Sequence, residues 1–295
     1  MALSLLTNTA SLEAQRNLTS TGKALASNFA KLSSGQRINS ASDDAAGLSI
    51  SERMKSQISS MSQAERNAND GISLLQTADS ALNQNAGVLT RMRDLAMSAA
   101  NGTLGDTDRS ALQTEFGQLT QEIDRIANVT EFNGQKLLDG SAKSFKFQVG
   151  IGSSASDTIT AKMSTMTSAA YGVDPADGTT PIDLTKLSIG NDAAASITGD
   201  ATTASNALAT LDKAISATSS TRATLGATQN RLQVTVSNLE SANSNLSAAN
   251  SRIRDVDVAQ ESASMTRNNI LSQAGLAVLS QANQLPSQAL SLLRG

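Results

Sequence analysis

The sequence predicts a mainly α protein: a long antiparallel helical bundle or coiled coil with one small β-hairpin region, whose terminal helices pair into a coiled-coil domain of their own. Three observations support this. Apolar residues repeat every seven positions from about Asn206 to Arg254, much longer than an ordinary globular helix of about 11–12 residues. One short segment alternates with period two. Only 2% of residues are aromatic although 39% are hydrophobic, so the core must consist mainly of aliphatic side chains.

The seven-residue repeat predicts one uninterrupted helix. Its companion position changes from apolar, as at Leu208 and Ile215, to polar, as at Asn243 and Asn250. Polar residues in a helix seam weaken the seam but restrict its register. The leading positions of the repeat are Leu211, Thr218, Leu225, Leu232, Leu239, Leu246 and Ile253.

Two more helices and a hairpin are predicted before this repeat. Two adjacent apolar stripes between about Ile58 and Ala99 predict a long helix with at least two neighbours. A third helix follows, with Asp106 as its N-cap, and Asn133-Gly134 marks a turn. Alternation from Phe145 to Met163 predicts a β-hairpin. Residues 164–203 are rich in Gly, Thr, Ala, Asp and Pro, which predicts a loop or a poorly packed excursion.

Both ends of the chain are predicted to form amphipathic helices that need a partner helix. Ordering an isolated helix of about 35 residues costs roughly 1–2 kcal/mol of backbone entropy per residue, and isolated helices are marginal in water. We therefore expect these helices to pair with each other or with copies of the chain, and to be disordered in the monomer and ordered in the polymer. The residues predicted to mediate polymerisation are Leu5, Leu12, Leu18, Leu25, Leu32, Leu271, Val278, Leu285 and Leu292.

The composition argues against catalysis and against several kinds of partner. The chain has no His and no Cys, so it lacks a histidine base, a thiolate nucleophile and the usual zinc ligands. No catalytic residue, metal site or cofactor is expected, and we predict that the protein is not an enzyme. A net charge of −3 gives no electrostatic case for nucleic acid or an anionic membrane. No apolar run approaches the ~20 residues of a membrane span, and Met1–Thr7 lacks the pattern of a cleavable signal peptide.

Two local patterns resemble functional sites but favour simpler interpretations. The glycines of 150–155 follow a strand, as in a dinucleotide-binding loop, yet no apolar-periodic helix comes after them. A hairpin turn is therefore favoured. Asp43-Asp44, and Asp255 with Asp257 and Glu261, could be carboxylate pairs, but with no nucleophile or basic partner nearby they are interpreted as helix caps and linker contacts.

Four segments, in order along the chain, resemble the bacterial flagellins. Residues 33–48 (SSGQRINSASDDAAGL) resemble the segment after the first helix of that family, and residues 131–138 (EFNGQKLL) resemble its turn into a hairpin. Residues 251–257 (SRIRDVD) and 273–284 resemble its C-terminal signature. Together these matches cover about residues 1–150 and 205–295.

The resemblance implies a structural subunit of the flagellar filament and a division of the chain by layer. Residues 1–42 with 256–295 would form the inner coiled-coil tube, and 43–163 with 204–255 the outer bundle with its hairpin. Residues 164–203 would be a short, variable, surface-exposed insertion. The resemblance also implies extracellular localisation after export without a cleavable signal peptide. The implied partners are copies of the chain, the flagellar type III export apparatus and its chaperone, and the filament cap and hook-junction proteins; nucleic acid binding and membrane insertion are not expected.

One patch also resembles a receptor-recognition site. Residues 91–96 (RMRDLA) are similar to the flagellin segment recognised by the vertebrate Toll-like receptor for flagellin. Thr90, Met92 and Asp94 depart from the family's residues. The simpler interpretation is that Leu95 and Met92 are core residues and that Arg91 is a solvated charge. The residues that match the centre of the recognised segment are Arg91, Leu95 and Glu115.

Two functions of other classes remain as alternatives. A chemoreceptor-like signalling hairpin would have a helical tip where this chain has a predicted β-hairpin, and it would not need adhesive termini. A secreted coiled-coil type III effector or translocator would usually carry membrane-active apolar helices. Electron microscopy of the protein after polymerisation would separate these alternatives from a filament subunit.

Overall fold

The computed structural model describes residues 8–141, 144–172, 180–189 and 201–294, with side chains described for all of these except 201–202 and 285–294. These residues are mainly helical, with three short antiparallel strand pairs, β1–β2, β3–β4 and β5–β6. The fold-class prediction is confirmed. The helices are α1 (Thr9–Ser34), α2 (Ala45–Ala99), α3 (Asp106–Val129), α4 (Ala201–Arg254) and α5 (Val258–Arg294). The strands are β1 (Glu131–Phe132), β2 (Gln135–Lys136), β3 (Ser144–Gln148), β4 (Thr158–Lys162), β5 (Met166–Thr167) and β6 (Ala170–Tyr171).

Short polar side chains and a glycine set the helix ends. The Asn8 side chain accepts a hydrogen bond from the Ser11 N–H (3.0 Å) and so caps α1. Gly35, at φ 69°, ends α1 in the left-handed conformation that glycine adopts without strain. At the start of α5, the Asp257 carboxylate accepts from the Ala259 and Gln260 N–H groups (2.9 and 3.1 Å). The interpretation of Asp257 as a cap is therefore confirmed.

The chain forms two compact units, residues 1–58 with 244–295 and residues 59–243. In the first unit α1 and α5 run antiparallel, since the start of α1 contacts Ala282 and its end is bridged to Asp255 through Gln36. The division by filament layer concerns an assembled state and stays a prediction.

The second unit is held by a continuous apolar core. Its parts of α2 and α4 run antiparallel, with Asp79 bonded to Arg222 (2.8 Å) and Arg93 to Asp212 (2.6 Å). The helix α3 and the β3–β4 hairpin pack on the same core, to which Phe116 and Ile159 contribute. The largest fully buried apolar side chains of this core are Leu75, Leu82, Leu89, Met92, Phe116, Ile123, Leu137, Leu138, Met166, Leu184 and Ile189.

The predicted turn, hairpin and long helix are all present. Asn133 and Gly134 take positive φ values of 49° and 76° in the two-residue turn between β1 and β2. Strands β3 and β4 pair in the register Phe145↔Ala161 and Phe147↔Ile159, so residues 150–155 form a hairpin connection and not a phosphate-binding loop.

Three expectations differ from the structure. The helix predicted from about Ile58 begins at Ala45, because the Asp44 carboxylate accepts from the Gly47 N–H (2.9 Å) and starts it early. The N-cap of α3 is Gly105 and not Asp106, and Asp108 accepts from the Gly105 N–H. The described part of 164–203 is well packed, since Met166 and Tyr171 are fully buried.

The remaining expectations are of two kinds. Some concern residues or side chains that the structure does not describe, and others concern membrane spans and metal sites. Leu5 lies outside the described residues, as do the side chains of Leu285 and Leu292. Across the described residues, no helix combines the length and apolarity that a membrane crossing requires. Over the same residues, His, Cys, Asp and Glu form no cluster suited to a metal ion.

Candidate functional site

The α1/α5 pair has small and polar side chains in its seam. At one end the Asn8 side-chain N–H donates to the Ala282 carbonyl (2.7 Å), and the Ser11 hydroxyl donates to Asn283 (2.7 Å). Near the middle, Leu18 lies against Gly275, with its Cδ1 3.5 Å from the position that a Cβ would take there. The residues buried in the seam are Ala14, Asn28 and Ala282. None of these is a large apolar side chain, so the pair is held with little hydrophobic burial.

Several large apolar side chains of the pair are on its outside. Leu12 and Phe29 of α1 are 48% and 54% exposed, and Leu271 and Val278 of α5 are 51% and 56% exposed. Leu18, Leu25 and Leu32 are half-buried. Of the residues predicted to mediate polymerisation, the structure therefore places three partly in the seam and three facing outward. We call the outward set of described residues the apolar faces: Leu12, Phe29, Ile270, Leu271, Leu276 and Val278.

A backbone junction in the same unit holds the two helices together at their inner ends. The Val256 N–H donates to the Gly35 carbonyl (3.1 Å), and the Arg37 N–H donates to the Arg254 carbonyl (2.6 Å). The Arg254 guanidinium donates to Gln36 (3.0 Å) and to Glu52 (2.5 Å). The hydrogen bond from Arg254 lowers the pKa of Glu52. Both segments of this junction carry motifs that were noted in the sequence, yet neither was predicted to contact the other.

The second candidate site lies on α2 and α3 of the other unit. Arg91 and Glu115 form an exposed ion pair with 2.6 Å between nitrogen and oxygen. Leu95, only 3% exposed, and Met92, fully buried, belong to the core. The structure therefore brings Arg91 and Glu115 together at the surface, whereas Leu95 is buried in the core.

Comparison with known proteins decides the family. The model of the bacterial flagellin N-terminal helical region matches residues 5–143, and that of the C-terminal helical region matches residues 208–293. The chain belongs to the bacterial flagellin family. It is 45% identical to the flagellin of Bacillus subtilis (strain 168), over 97% of this chain and 98% of that one. It is also 42% identical to the flagellar filament 33 kDa core protein of Treponema phagedenis, with the same coverage of each.

A solved structure shares the fold. The putative flagellar hook-associated protein from Vibrio parahaemolyticus aligns with a TM-score of 0.59 at 19% identity, over 72% of this chain and all of that one. Membership of the family makes this flagellin a structural subunit of the flagellar filament. The alternatives of a signalling hairpin and of a translocator are set aside on the same ground.

One residue of the α1/α5 pair was missed by sequence reasoning. Asn28 is 7% exposed and lies in the seam, although it was not singled out beside the stripe formed by Leu25, Phe29 and Leu32. A polar residue inside an apolar helical stripe is a signal of a specific buried contact. That signal was present in the sequence.

Proposed function

We propose that this flagellin is exported from the cell and polymerises, through the apolar faces of its α1/α5 pair, into an extracellular filament that serves swimming motility. The export route would be the flagellar type III apparatus with an export chaperone, without a cleavable signal peptide. The filament cap and the hook-junction proteins would be its other partners. In this proposal the terminal segments line the inner tube and the helical bundle forms the outer one.

The observation that carries this proposal is the outward position of the apolar faces. Six large apolar side chains of one helix pair are each between 48% and 60% exposed. Clusters of exposed apolar side chains are typical of interaction surfaces. Burying the exposed half of one such side chain stabilises an assembly by about 1 kcal/mol. When several neighbouring subunits cover the apolar faces of one α1/α5 pair, burial of these side chains therefore stabilises the assembly by several kcal/mol.

Charged substitutions on one face of α5 test the proposal. The double variant Leu271→Glu/Val278→Glu should remain folded, because both positions are already exposed, but should form no filaments under polymerising salt. The matched control Gln273→Glu/Ser280→Glu adds the same charges at exposed polar positions of the same helix and should still polymerise. Electron microscopy and sedimentation measure polymer, and circular dichroism checks the fold. Normal filaments from the Leu271→Glu/Val278→Glu protein would contradict the proposal.

We further propose that the monomer is recognised by the host Toll-like receptor for flagellin at Arg91 and Glu115, with Leu95 as a supporting residue. The exposed ion pair of Arg91 with Glu115 favours this, because an Arg at the centre of an interface is a common hot spot. Leu95 is buried in the core on the same helix as Arg91, so its contribution to recognition would be to position the α2 surface.

A reporter-cell dose response tests the receptor proposal. Arg91→Ala should weaken activation by the monomer at least tenfold, since truncating a central Arg costs roughly 2–4 kcal/mol and about 1.4 kcal/mol is a factor of ten. The control Arg66→Ala removes an exposed Arg of the same helix, which bonds only to Gln63 among its described contacts, and should activate like wild type. Equal potency of Arg91→Ala and wild type would show that the Arg91–Glu115 surface serves packing only.

A further inference from the structure

The chain contains two Asn-Gly dipeptides, Asn101-Gly102 in the loop between α2 and α3 and Asn133-Gly134 in the turn between β1 and β2. An Asn side chain and the nitrogen of the next residue are the two groups that react when an asparagine loses ammonia and closes a succinimide ring. A following glycine has no side chain to hinder that approach. Both asparagines are exposed, so the sequence alone does not distinguish the two dipeptides.

The Asn101 side chain is folded back over its own peptide bond. Its Oδ1 accepts a hydrogen bond from the Thr103 N–H (3.2 Å), which is an Asx turn. Because Oδ1 reaches past Gly102 to the next residue, the side-chain Cγ lies on the side of the Gly102 nitrogen. The same hydrogen bond stabilises the negative charge that develops on Oδ1 when Cγ is attacked.

The Arg109 guanidinium acts on the attacking nitrogen. It donates to the Ala99 carbonyl (3.1 Å) and to the Asn101 carbonyl (3.2 Å). The Asn101 carbonyl and the Gly102 N–H belong to one peptide group, so a cation bonded to that oxygen favours loss of the proton from that nitrogen. Gly102 is exposed, and nothing lies within 4 Å of the position that a Cβ would take there. The nitrogen is therefore open to a base from solvent.

The second dipeptide is held differently. Asn133 and Gly134 take φ values of 49° and 76° in a two-residue turn, and the residues on either side of them are paired as Phe132↔Gln135. Ring closure requires rotation of the backbone at Asn133, which the paired strands resist. The structure therefore favours reaction at Asn101 over Asn133, although the two sequences are equivalent.

We propose that Asn101 is a site of spontaneous modification, at which the chain closes a succinimide ring and then opens it mainly to isoaspartate. The Gly102 nitrogen gives its proton to a solvent base and forms a bond to the Asn101 Cγ. The Cγ–Nδ2 bond breaks, and the amide nitrogen takes up a proton and leaves as ammonia. Water then hydrolyses the ring. The Arg109 guanidinium polarises the main-chain carbonyl, so water attacks that carbon and its bond to the Gly102 nitrogen breaks.

The modification changes the loop between α2 and α3. The released carboxylate is the former main-chain carbonyl, which Arg109 already holds, so the product contains a charge-assisted pair. The main chain now runs through the side chain of residue 101 and is one methylene longer. The new negative charge lies just beyond the C-terminal end of α2, where the helix dipole is also negative. None of this depends on polymerisation or on the terminal helices.

Tryptic peptide mapping of the full-length protein tests the proposal. The protein is incubated at mildly alkaline pH, folded or in urea, and then digested into peptides that include 94–109 and 126–136, each with one Asn-Gly. Mass spectrometry measures the conversion, and electron-transfer fragmentation distinguishes isoaspartate from aspartate. In the folded protein, Asn101 should convert at least about tenfold faster than Asn133, since a preorganised donor stabilises the developing charge. In urea the two rates should converge. Equal rates in the folded protein, or a ratio that urea leaves unchanged, would overturn the proposal.

A substitution of Arg109 separates acceleration at Asn101 from protection at Asn133. Arg109→Gln should slow the conversion of Asn101 about two- to tenfold, the effect of one hydrogen bond, lower the share of isoaspartate and leave Asn133 unchanged. The matched control Arg125→Gln removes an exposed Arg of the same helix that bonds to Glu122, and should change neither rate. Circular dichroism checks that both variants are folded. An undiminished rate at Asn101 in folded Arg109→Gln would contradict the proposed role of Arg109.

Discussion

The α1/α5 pair and the bundle of α2, α3 and α4 are built from the same few aliphatic residues, but they place them on opposite sides. In the bundle Leu75, Leu82 and Leu89 are fully buried. In the pair, Leu271 and Val278 face outward, while Gly275 and Ala282 face the seam. Both regions are helical. The bundle buries its large apolar side chains within the chain, whereas the α1/α5 pair leaves several of its own exposed, where another molecule can bury them.

This difference teaches how one chain separates folding from assembly. The bundle buries its large apolar side chains in one core, and such burial is the main favourable contribution to folding. The pair relies on hydrogen bonds, each of which contributes only about 0.5–1.5 kcal/mol net, and these specify geometry more than they stabilise. The region that is weakest as a monomer is therefore the region that gains most from contact with copies.

The largest expected effect comes from removing a core side chain of the bundle. Phe116→Ala should lower the free energy of unfolding by about 3–5 kcal/mol, because Phe116 is 1% exposed and leaves a cavity. Urea unfolding followed by circular dichroism measures it. Val129→Ala, on the same helix but 59% exposed, should change it little. If the two variants lost the same stability, α3 would not hold the core as described.

A smaller loss of folding stability is expected at high pH, where the single Tyr of the chain ionises. Burial raises the pKa of Tyr171 to about 12, above the ordinary value of 10.0. The Thr218 hydroxyl donates to the Ala214 carbonyl (2.8 Å), so the Tyr171 hydroxyl donates to Thr218 (3.1 Å). Since the folded pKa exceeds the unfolded one, this stability is complete below pH 10 and is lost as the pH rises through 12. The loss should reach about 2–3 kcal/mol.

The same Tyr supplies the measurement. The chain has one Tyr and no Trp, so the ultraviolet absorbance of tyrosinate reports Tyr171 alone. Tyr171→Phe should abolish the additional loss of stability between pH 10 and pH 12 that wild type shows in urea unfolding. A tyrosinate titration near the ordinary value in the folded protein would show that Tyr171 is accessible to water.

The smallest effect on the monomer is expected at the apolar faces. Leu271→Ala should change the free energy of unfolding of the monomer by no more than about 0.5 kcal/mol, because the side chain is already half exposed. The same variant should raise the critical concentration for polymerisation, measured by sedimentation. A loss above about 1 kcal/mol in the monomer would mean that Leu271 is buried within the chain, and the contrast between the two regions would fail there.

Periodicity made much of this fold predictable. The repeat led by Leu211 predicted α4, and the alternation of Phe145 and Phe147 predicted the β3–β4 hairpin with its inward face. Strands β5 and β6 could not be predicted in the same way, because each has only two residues. Their position depends on contacts distant in sequence, such as the Ser168 N–H donating to the Asp124 carboxylate (2.6 Å).

The candidate site was predictable in its residues but not in its orientation. The heptad of Leu271 and Val278 and the interleaved Gly275 and Ala282 are equally regular in the sequence. An amphipathic pattern identifies a buried face only when one side is polar. Here both sides are apolar, and the contact of Leu18 with Gly275 and the burial of Ala282 show that the small residues face α1.

The junction of Gly35 and Gln36 with Asp255 and Val256 has a consequence for incomplete chains. These partners are separated by more than two hundred residues of sequence, so their contact is among the most non-local in the protein, and such contacts form late in folding. A chain that ended within α4 would complete much of the bundle, yet α1 would have neither the junction nor α5 to align against. The junction therefore forms only in a chain that extends beyond α4.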